Sequence, residues 1–362
     1  MCQNGKALNF HLNGESIHMN DIKLASLDLA KNKFQLCLTD TDNQVIKNQK
    51  IKRARVLDRI RQLPEGTKIA MEACASAHYW ARQFQAMGYE VLLIPAQHVK
   101  PFVGKQKNDA NDARAIAEAA CRPQLYLVPV KTIEQQDIKV VRSSRERLVK
   151  VRTALVNHLR GHCGEYGVVM PQGIGQFRKR VASVLEDADN GISVTMREIL
   201  SQGYEEFVEL DDKIKALEKQ QQQLCQTNED YGRLLEIPGV GPMNAAAIIS
   251  EIGDGSQFSS GREYAAFCGL VPRQHSSGEK TIMSGITKNG NRQLRTLLVH
   301  SARTLVRYME KKNDALSRWV KEIAARRGKN KAIVALANKL ARVCWAVLFH
   351  KTRYQAELVS TR

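Results

Sequence analysis

Two aspartates three residues apart, Asp109 and Asp112, open the stretch "KNDANDARAIAEAA" (Lys107 to Ala120), whose run of alanines predicts a helix. Residues three apart on a helix lie on one face, so both carboxylates can reach a single ligand. The alternative is a pair of acids favoured at a helix N-terminus by the macrodipole. Two further acids fall where strands are expected: Asp28 interrupts the apolar "IKLASLDLAKNKFQLCLTD", and Glu72 ends the strand within "TKIAMEAC". A carboxylate in an apolar strand is costly without a partner. Acids gathered in this way repel one another unless a cation neutralises them, and an all-oxygen donor set favours Mg2+, with Mn2+ as the substitute. Asp28, Glu72, Asp109 and Asp112 are therefore the candidate metal and catalytic residues, and the chemistry expected of them is phosphoryl transfer.

A second reactive constellation lies near the other end, in "YAAFCGLVPRQHSSGEKTIMSGITKNGNRQLR" (Tyr264 to Arg295). Here Arg273, His275, Lys280, Lys288, Arg292 and Arg295 surround the adjacent Ser276 and Ser277 in what reads as a polar loop. A serine hydroxyl beside cations can attack a phosphodiester once its proton is removed and the developing charge is held. By chemistry alone either serine qualifies, and hydrogen bonding to backbone or phosphate is the competing role. Upstream, "LLEIPGVGPMNAAAIISEIGD" (Leu234 to Asp254) reads as helix, tight turn, helix. Gly239 and Gly241 permit the turn, Pro242 suits a first helical position, and exposed amides there can hold a phosphate. The pattern resembles the helix-hairpin-helix binders of DNA backbone; an ordinary helical hairpin is the alternative.

The elements that must position these residues follow from hydrophobic period. Residues 1–21 read as a polar extension. From Ile22 two strands of a hairpin, a third strand in "NQVIKNQKI", a helix from Arg53 to Leu63, the strand ending at Glu72, a helix from Ala77 to Met87 and a strand in "YEVLLIP" describe an α/β domain with a mixed sheet over 22–130. From Thr132 to His162 and from Tyr204 to Thr227 apolar residues recur at three and four spacing, predicting long helices in a coiled-coil region over 131–230, with an irregular link from Gly164 to Met196. A mostly helical domain over 231–350 and a tail over 351–362 complete the chain.

The formal net charge is +18, and the segment from Gly255 to Arg362 holds 21 Lys and Arg against 6 Asp and Glu, a net +15. So concentrated an excess predicts a polyanionic partner, nucleic acid first; a solvated basic surface is the alternative. Eight cysteines (Cys2, Cys37, Cys74, Cys121, Cys163, Cys225, Cys268, Cys344) form no CxxC pair, which argues against zinc knuckles and a disulfide framework and fits a reducing cytosol. No secretory h-region or uninterrupted apolar span is evident, so the expectation is a cytoplasmic, nucleoid-associated protein without a membrane partner. The 6% aromatic content argues against extensive base stacking.

The first-domain acids, "IPGVG", "FCGLVPRQHSSG" and "GITKNGNRQLR" occur in an order and spacing that resembles the transposases of insertion sequence family 110, 1111 subgroup, from about Ile22 to Phe349. The resemblance implies an RNase H-like, RuvC-like domain whose four acids match Asp28, Glu72, Asp109 and Asp112, and a C-terminal transposase domain with a nucleophilic serine. The family's serine precedes a glycine, which assigns the role to Ser277 before Gly278. Many relatives resemble one another in a second glycine where this chain has Glu279, a departure that bears on local loop geometry. The resemblance also implies a structured guide RNA encoded by the element. The expected activity is Mg2+-dependent cutting and rejoining of DNA at element ends and target. Because long helices separate acids from serine in sequence, a homo-oligomer, dimer or tetramer, is expected, with acids of one protomer serving Ser277 of another. Two other readings stay open: a RuvC-like junction nuclease and a non-catalytic nucleic-acid architectural protein.

Overall fold

The computed structural model describes residues 10–12, 15–17, 22–104, 108–123, 125–277 and 280–356. The chain divides into two compact units, Met1–Lys131 and Thr132–Arg362.

The first unit opens with a short antiparallel ladder, β1 (Phe10–Leu12) with β2 (Glu15–Ile17), inside what the sequence suggests is a polar extension. Then come β3 (Leu24–Asp28), β4 (Lys33–Thr39), β5 (Val45–Lys52), α1 (Val56–Ile60), β6 (Lys68–Glu72), α2 (Ala77–Ala86), β7 (Val91–Ile94), α3 (Ala96–Val99) and α4 (Asp109–Ala120). The main sheet has strand order β5-β4-β3-β6-β7, antiparallel among the first three and parallel across β3, β6 and β7. This mixed α/β arrangement is consistent with the RNase H-like expectation. The expected helix over 53–63 is shorter: a 3-10 turn at Arg53–Arg55 precedes the five residues of α1.

Strand alternation gives the sheet two covered faces. Ala25, Leu27, Phe34, Leu36, Ile69 and Met71 pack with Trp80 and Phe84 of α2 on one side, while Leu24 and Ala70 pack with Ala115, Ile116 and Ala119 of α4 on the other. Burying each large side chain stabilises the unit by about 1.5–3 kcal/mol before entropy is counted. Ser26, fully buried on the α4 side, donates to the Ala113 carbonyl at 2.7 Å. Asn48 Nδ2 donates to the Ala110 carbonyl at 2.9 Å and its Oδ1 accepts from Gln35 Nε2 at 2.6 Å. These bonds pin the first turns of α4 over β3, β4 and β5.

The second unit is mostly helical: α5 (Ile133–Glu165), α6 (Ile174–Glu186), α7 (Val194–Cys225), α8 (Glu229–Leu235), α9 (Pro242–Ile252), α10 (Gly261–Phe267), β8 (Pro272–Ser277), β9 (Lys280–Ile286), α11 (Arg292–Met309), α12 (Ala315–Arg327) and α13 (Lys329–Phe349). Arg145 pairs with Glu218, Arg152 with Asp211, and Leu159 closes on Gly203, a register that makes α5 and α7 an antiparallel pair. The Gly203 contact leaves no room for a Cβ, which would stand 2.7 Å from Leu159. The link over 164–196 is not irregular throughout: α6 buries Phe177, Val181 and Val184 against α7, because its apolar residues recur at helical spacing.

α5 also docks on α9. Arg142, 2% exposed, donates to Glu251 at 2.6 Å, and Gln135 Nε2 donates to the Ile249 carbonyl at 3.0 Å. α13, with mean hydropathy 1.7 over its best window, is long and apolar enough to cross a membrane by length and composition, and 56% of that window is buried within the unit.

Candidate active site

Asp28 and Glu72 end neighbouring parallel strands. Leu27 pairs with Met71 in register, so the two acids occupy adjacent strand ends, both on the side that α4 covers. A third strand contributes Gln35, the cross-strand partner of Asp28. Asp109 and Asp112 stand in the first turn of α4, whose N-cap Asn108 accepts from the Asn111 amide. Asn108 caps the helix, and the two acids stand in the first turn, where the macrodipole alternative also places them. Both charges gain from the positive end of the helix.

The four acids are not equivalent. Asp109 is exposed and pairs with Lys50 of β5 at 3.0 Å, whereas Asp28, Glu72 and Asp112 are half-buried. Cys74, two residues past Glu72, senses the site: desolvation by partial burial, and after it the charges of Glu72 and Asp28, push its thiol above the ordinary value. Among the described residues, no three His, Cys, Asp or Glu side chains converge into a group that could hold a metal ion.

The donor chemistry nevertheless suits a hard divalent cation. All the acids offer oxygen, and the buried Oε1 of Gln35, beside Asp28 in register, has no hydrogen-bond partner. The exposed Lys50–Asp109 pair is worth at most about 1 kcal/mol, so a cation can displace the ammonium.

The serine segment is not a loop. β8 and β9 form an isolated two-stranded ribbon, and every residue from Pro272 to Ser277 is exposed. Alternation along β8 separates the two serines. Ser276 shares a face with Gln274, whose Nε2 donates to its Oγ at 2.8 Å. Ser277 shares the opposite face with His275, and among the described residues nothing holds its hydroxyl. Lys280 is the cross-strand partner of Ser277 in register; Gly278 and Glu279 lie outside the described residues. Arg273 and Lys288 are exposed, Lys288 at φ 57° in the turn after β9.

The ribbon is held at its base by two glycines that face one another. Gly269, at φ +67°, comes so close to the Asn289 carbonyl that a Cβ would stand 2.1 Å from it, and Gly290, at φ +78°, is as close to the Phe267 carbonyl. The Asn291 amide donates to Phe267 O at 2.9 Å, and Arg295 donates to Cys268 O at 3.1 Å. Arg295 therefore fastens the clamp, while Arg292 remains exposed at the start of α11. The pairing of these glycines is not visible in the sequence, where those of "FCG" and "KNGN" lie 21 residues apart.

We expect Gly269→Ala or Gly290→Ala to cost at least about 2 kcal/mol, since each forces a side chain into left-handed backbone as well as into a carbonyl. Denaturant titration of the full chain reads this, and a loss below about 0.5 kcal/mol would mean the clamp is not needed for folding.

The turn between α8 and α9 places Gly239 at φ +83°, exposed, with its α-carbon face against Leu305 of α11. Gly241 is the N-cap of α9, Pro242 is its first residue, and Asn244 Nδ2 donates to Ser301 Oγ of α11. The helix, turn and helix read from the sequence are present.

Two family models match the chain: a transposase model over residues 25–167, and the "Transposase IS116/IS110/IS902 family" over residues 231–317. The chain is 44% identical over 337 residues to the transposase for insertion sequence element IS1111A of Coxiella burnetii, covering 93% of this chain and 92% of that protein. It belongs to the IS110 family of transposases, in the IS1111 group. A probable family 20 transposase of Pseudomonas aeruginosa is also 44% identical, over 91% of this chain and 97% of its own length. The pilin gene-inverting protein of Moraxella bovis is 32% identical over 143 residues, 38% of this chain and 44% of that protein. As an IS110-family member the chain is a DNA transposase. The transposase model over 25–167 takes in all four acids, and the IS110-family model over 231–317 takes in the serine ribbon and both glycine turns.

Proposed function

We propose that this transposase cuts and rejoins DNA through a covalent serine link, with the four acids holding the cation that makes the exchange possible. The observation that carries the reading is the placement of Asp28 and Glu72 on adjacent parallel strand ends, on the side covered by the helix that starts with Asp109 and Asp112. Asp28, Glu72, Asp109 and Asp112 would hold Mg2+, or Mn2+ in its place. When bound, the ion neutralises charge on the phosphate undergoing exchange.

The chain's own residues do the rest. Ser277 Oγ attacks the phosphorus, an O–P bond to serine forms, and the P–O bond to the departing deoxyribose oxygen breaks. The hydroxyl proton passes to a base, for which His275 on the same ribbon face is the candidate, and the departing oxygen takes up a proton. Attack by a DNA hydroxyl on the phosphoserine reverses these steps and joins the new strands. Arg273, Lys280 and Lys288 around the ribbon, Arg292 beyond it, and the Gly239 and Gly241 turn, in the manner of a helix-hairpin-helix element, bind phosphates. A structured guide RNA and a homo-oligomeric active unit, both expected from the sequence, belong to the same proposal, as does a RuvC-like character for the first unit. The gene-inverting relative agrees with exchange of strands over hydrolysis.

The test is incubation of supercoiled element-end DNA with Mg2+, with and without the element's non-coding RNA, followed by a denaturing gel. The proposal expects a protein-DNA adduct that chelator abolishes and protease collapses. Hydrolysed ends with free protein would establish a junction nuclease instead, and metal-indifferent binding without products an architectural protein. Mixed Ser277→Ala and Asp109→Asn chains that recover the adduct would place acids and serine on different protomers.

A further inference from the structure

The solvent face of α11 carries Arg292, Thr296, His300, Arg303 and Arg307, all exposed and spaced by four, four, three and four residues. Its opposite face, Leu294, Leu298, Ala302, Val306 and Met309, is buried. An exposed helix face of ordinary composition mixes acids and bases, so that pairs three and four apart stabilise it. α11 contains no acid at all. Arg303 and Arg307 stand one turn apart and repel each other, and Arg292 occupies the first position of the helix, where the macrodipole opposes a cation. None of the three guanidinium groups has an ion pair or hydrogen bond among the described residues, and the acid that follows, Glu310, is held by Lys329 at 2.8 Å. Arg307 alone gains a little, from the C-terminal end of the helix and from the charge of Glu310; no ion pair among the described residues accounts for the stripe as a whole.

We propose that the exposed face of α11 is a track for the phosphate backbone of duplex DNA, leading away from the scissile phosphate. This rests on the serine reading above. From Arg292 to Arg307 the stripe extends roughly 22 Å, about the rise of six or seven base pairs. It starts six residues after the end of β9, with Arg295, one turn in, fastened to the clamp at the ribbon's base. A strand engaged at Ser277 is DNA, and the stripe meets its continuing duplex. His300 and Thr296 supply polar contacts between the arginines.

The experiment uses full-length protein in a Ser277→Ala background, so that binding is measured without turnover. Arg303→Gln with Arg307→Gln should lower the salt slope of log K for duplex element-end DNA by about two units and weaken binding about fiftyfold near 0.1 M salt, as expected for two lost phosphate contacts. Affinity for the element's structured RNA should stay within about twofold, and Arg303→Lys with Arg307→Lys should restore most of the slope. Arg326→Gln with Arg327→Gln, an equal loss of charge at the exposed end of α12, should change the slope by less than about half a unit. An unchanged slope for the α11 variant, equal effects of both double variants, or loss confined to RNA would each overturn the proposal. If the serine reading fails, an adduct survives in Ser277→Ala while the slopes still report on α11, so the two outcomes are separable.

Discussion

Asp28→Asn or Asp112→Asn should reduce strand cleavage by at least about a hundredfold while leaving DNA affinity within about twofold. Each change keeps side-chain volume and removes one charged oxygen donor. Even partners outside the ligand shell of a metal are worth 10- to 100-fold in activity or affinity, so a ligand itself sets the lower bound. DNA affinity should hold because the net positive charge lies elsewhere: +15 of the +18 falls between Gly255 and Arg362. The assay is nicking of supercoiled element-end DNA in Mg2+, beside Mn2+ luminescence-quench or paramagnetic titration of the same variants. Normal cleavage by either variant would remove the acids from the chemistry.

Why the acids were legible in the sequence is a matter of cost. Asp28 is visible because it breaks an apolar strand, and Glu72 because it ends one. The order of β3 to β7 followed from alternating strands and the helical stretch between β6 and β7. What stayed hidden is long-range. Lys50 sits in a strand whose sequence gives no sign that it faces Asp109, and Gln35 and Asn48 read as ordinary polar strand residues although they hold α4 in place.

In sequence the serine ribbon reads as a loop because Ser, Gly, Lys and Arg dilute its β-branched content, and the fully exposed β8 has no buried face to impose alternation. Its glycine turns show their purpose only when Gly269 and Gly290, 21 residues apart in sequence, meet carbonyls from each other's segments. Arg295 differs from Arg292 for the same reason: in sequence both are cations of one motif, and in the fold one of them is spent on Cys268 O.

Strand alternation also separates the effects expected of the two serines. Ser277→Ala should abolish the protein-DNA adduct, a loss of at least about 10⁴-fold, because removal of a nucleophile leaves only the binding and electrostatic part of catalysis. Ser276→Ala should keep adduct formation within about threefold, the size of an exposed substitution away from any special feature. The asymmetry comes from the pleat. Neighbouring residues of β8 point to opposite faces, so only one of the two hydroxyls can meet a given phosphate, and Ser276 Oγ already accepts from Gln274 at 2.8 Å. His275 lies on the Ser277 face, and His275→Gln should slow adduct formation by about 10²-fold or more if it takes the proton. Gln274→Ala, acting on the other face, should leave the rate within about threefold. Denaturing gels over a time course, with protease digestion to prove the attached protein, read all four variants against one substrate. An adduct lost in Ser276→Ala and kept in Ser277→Ala would invert the assignment of faces, and equal loss in both would mean that the ribbon needs the serines for its shape.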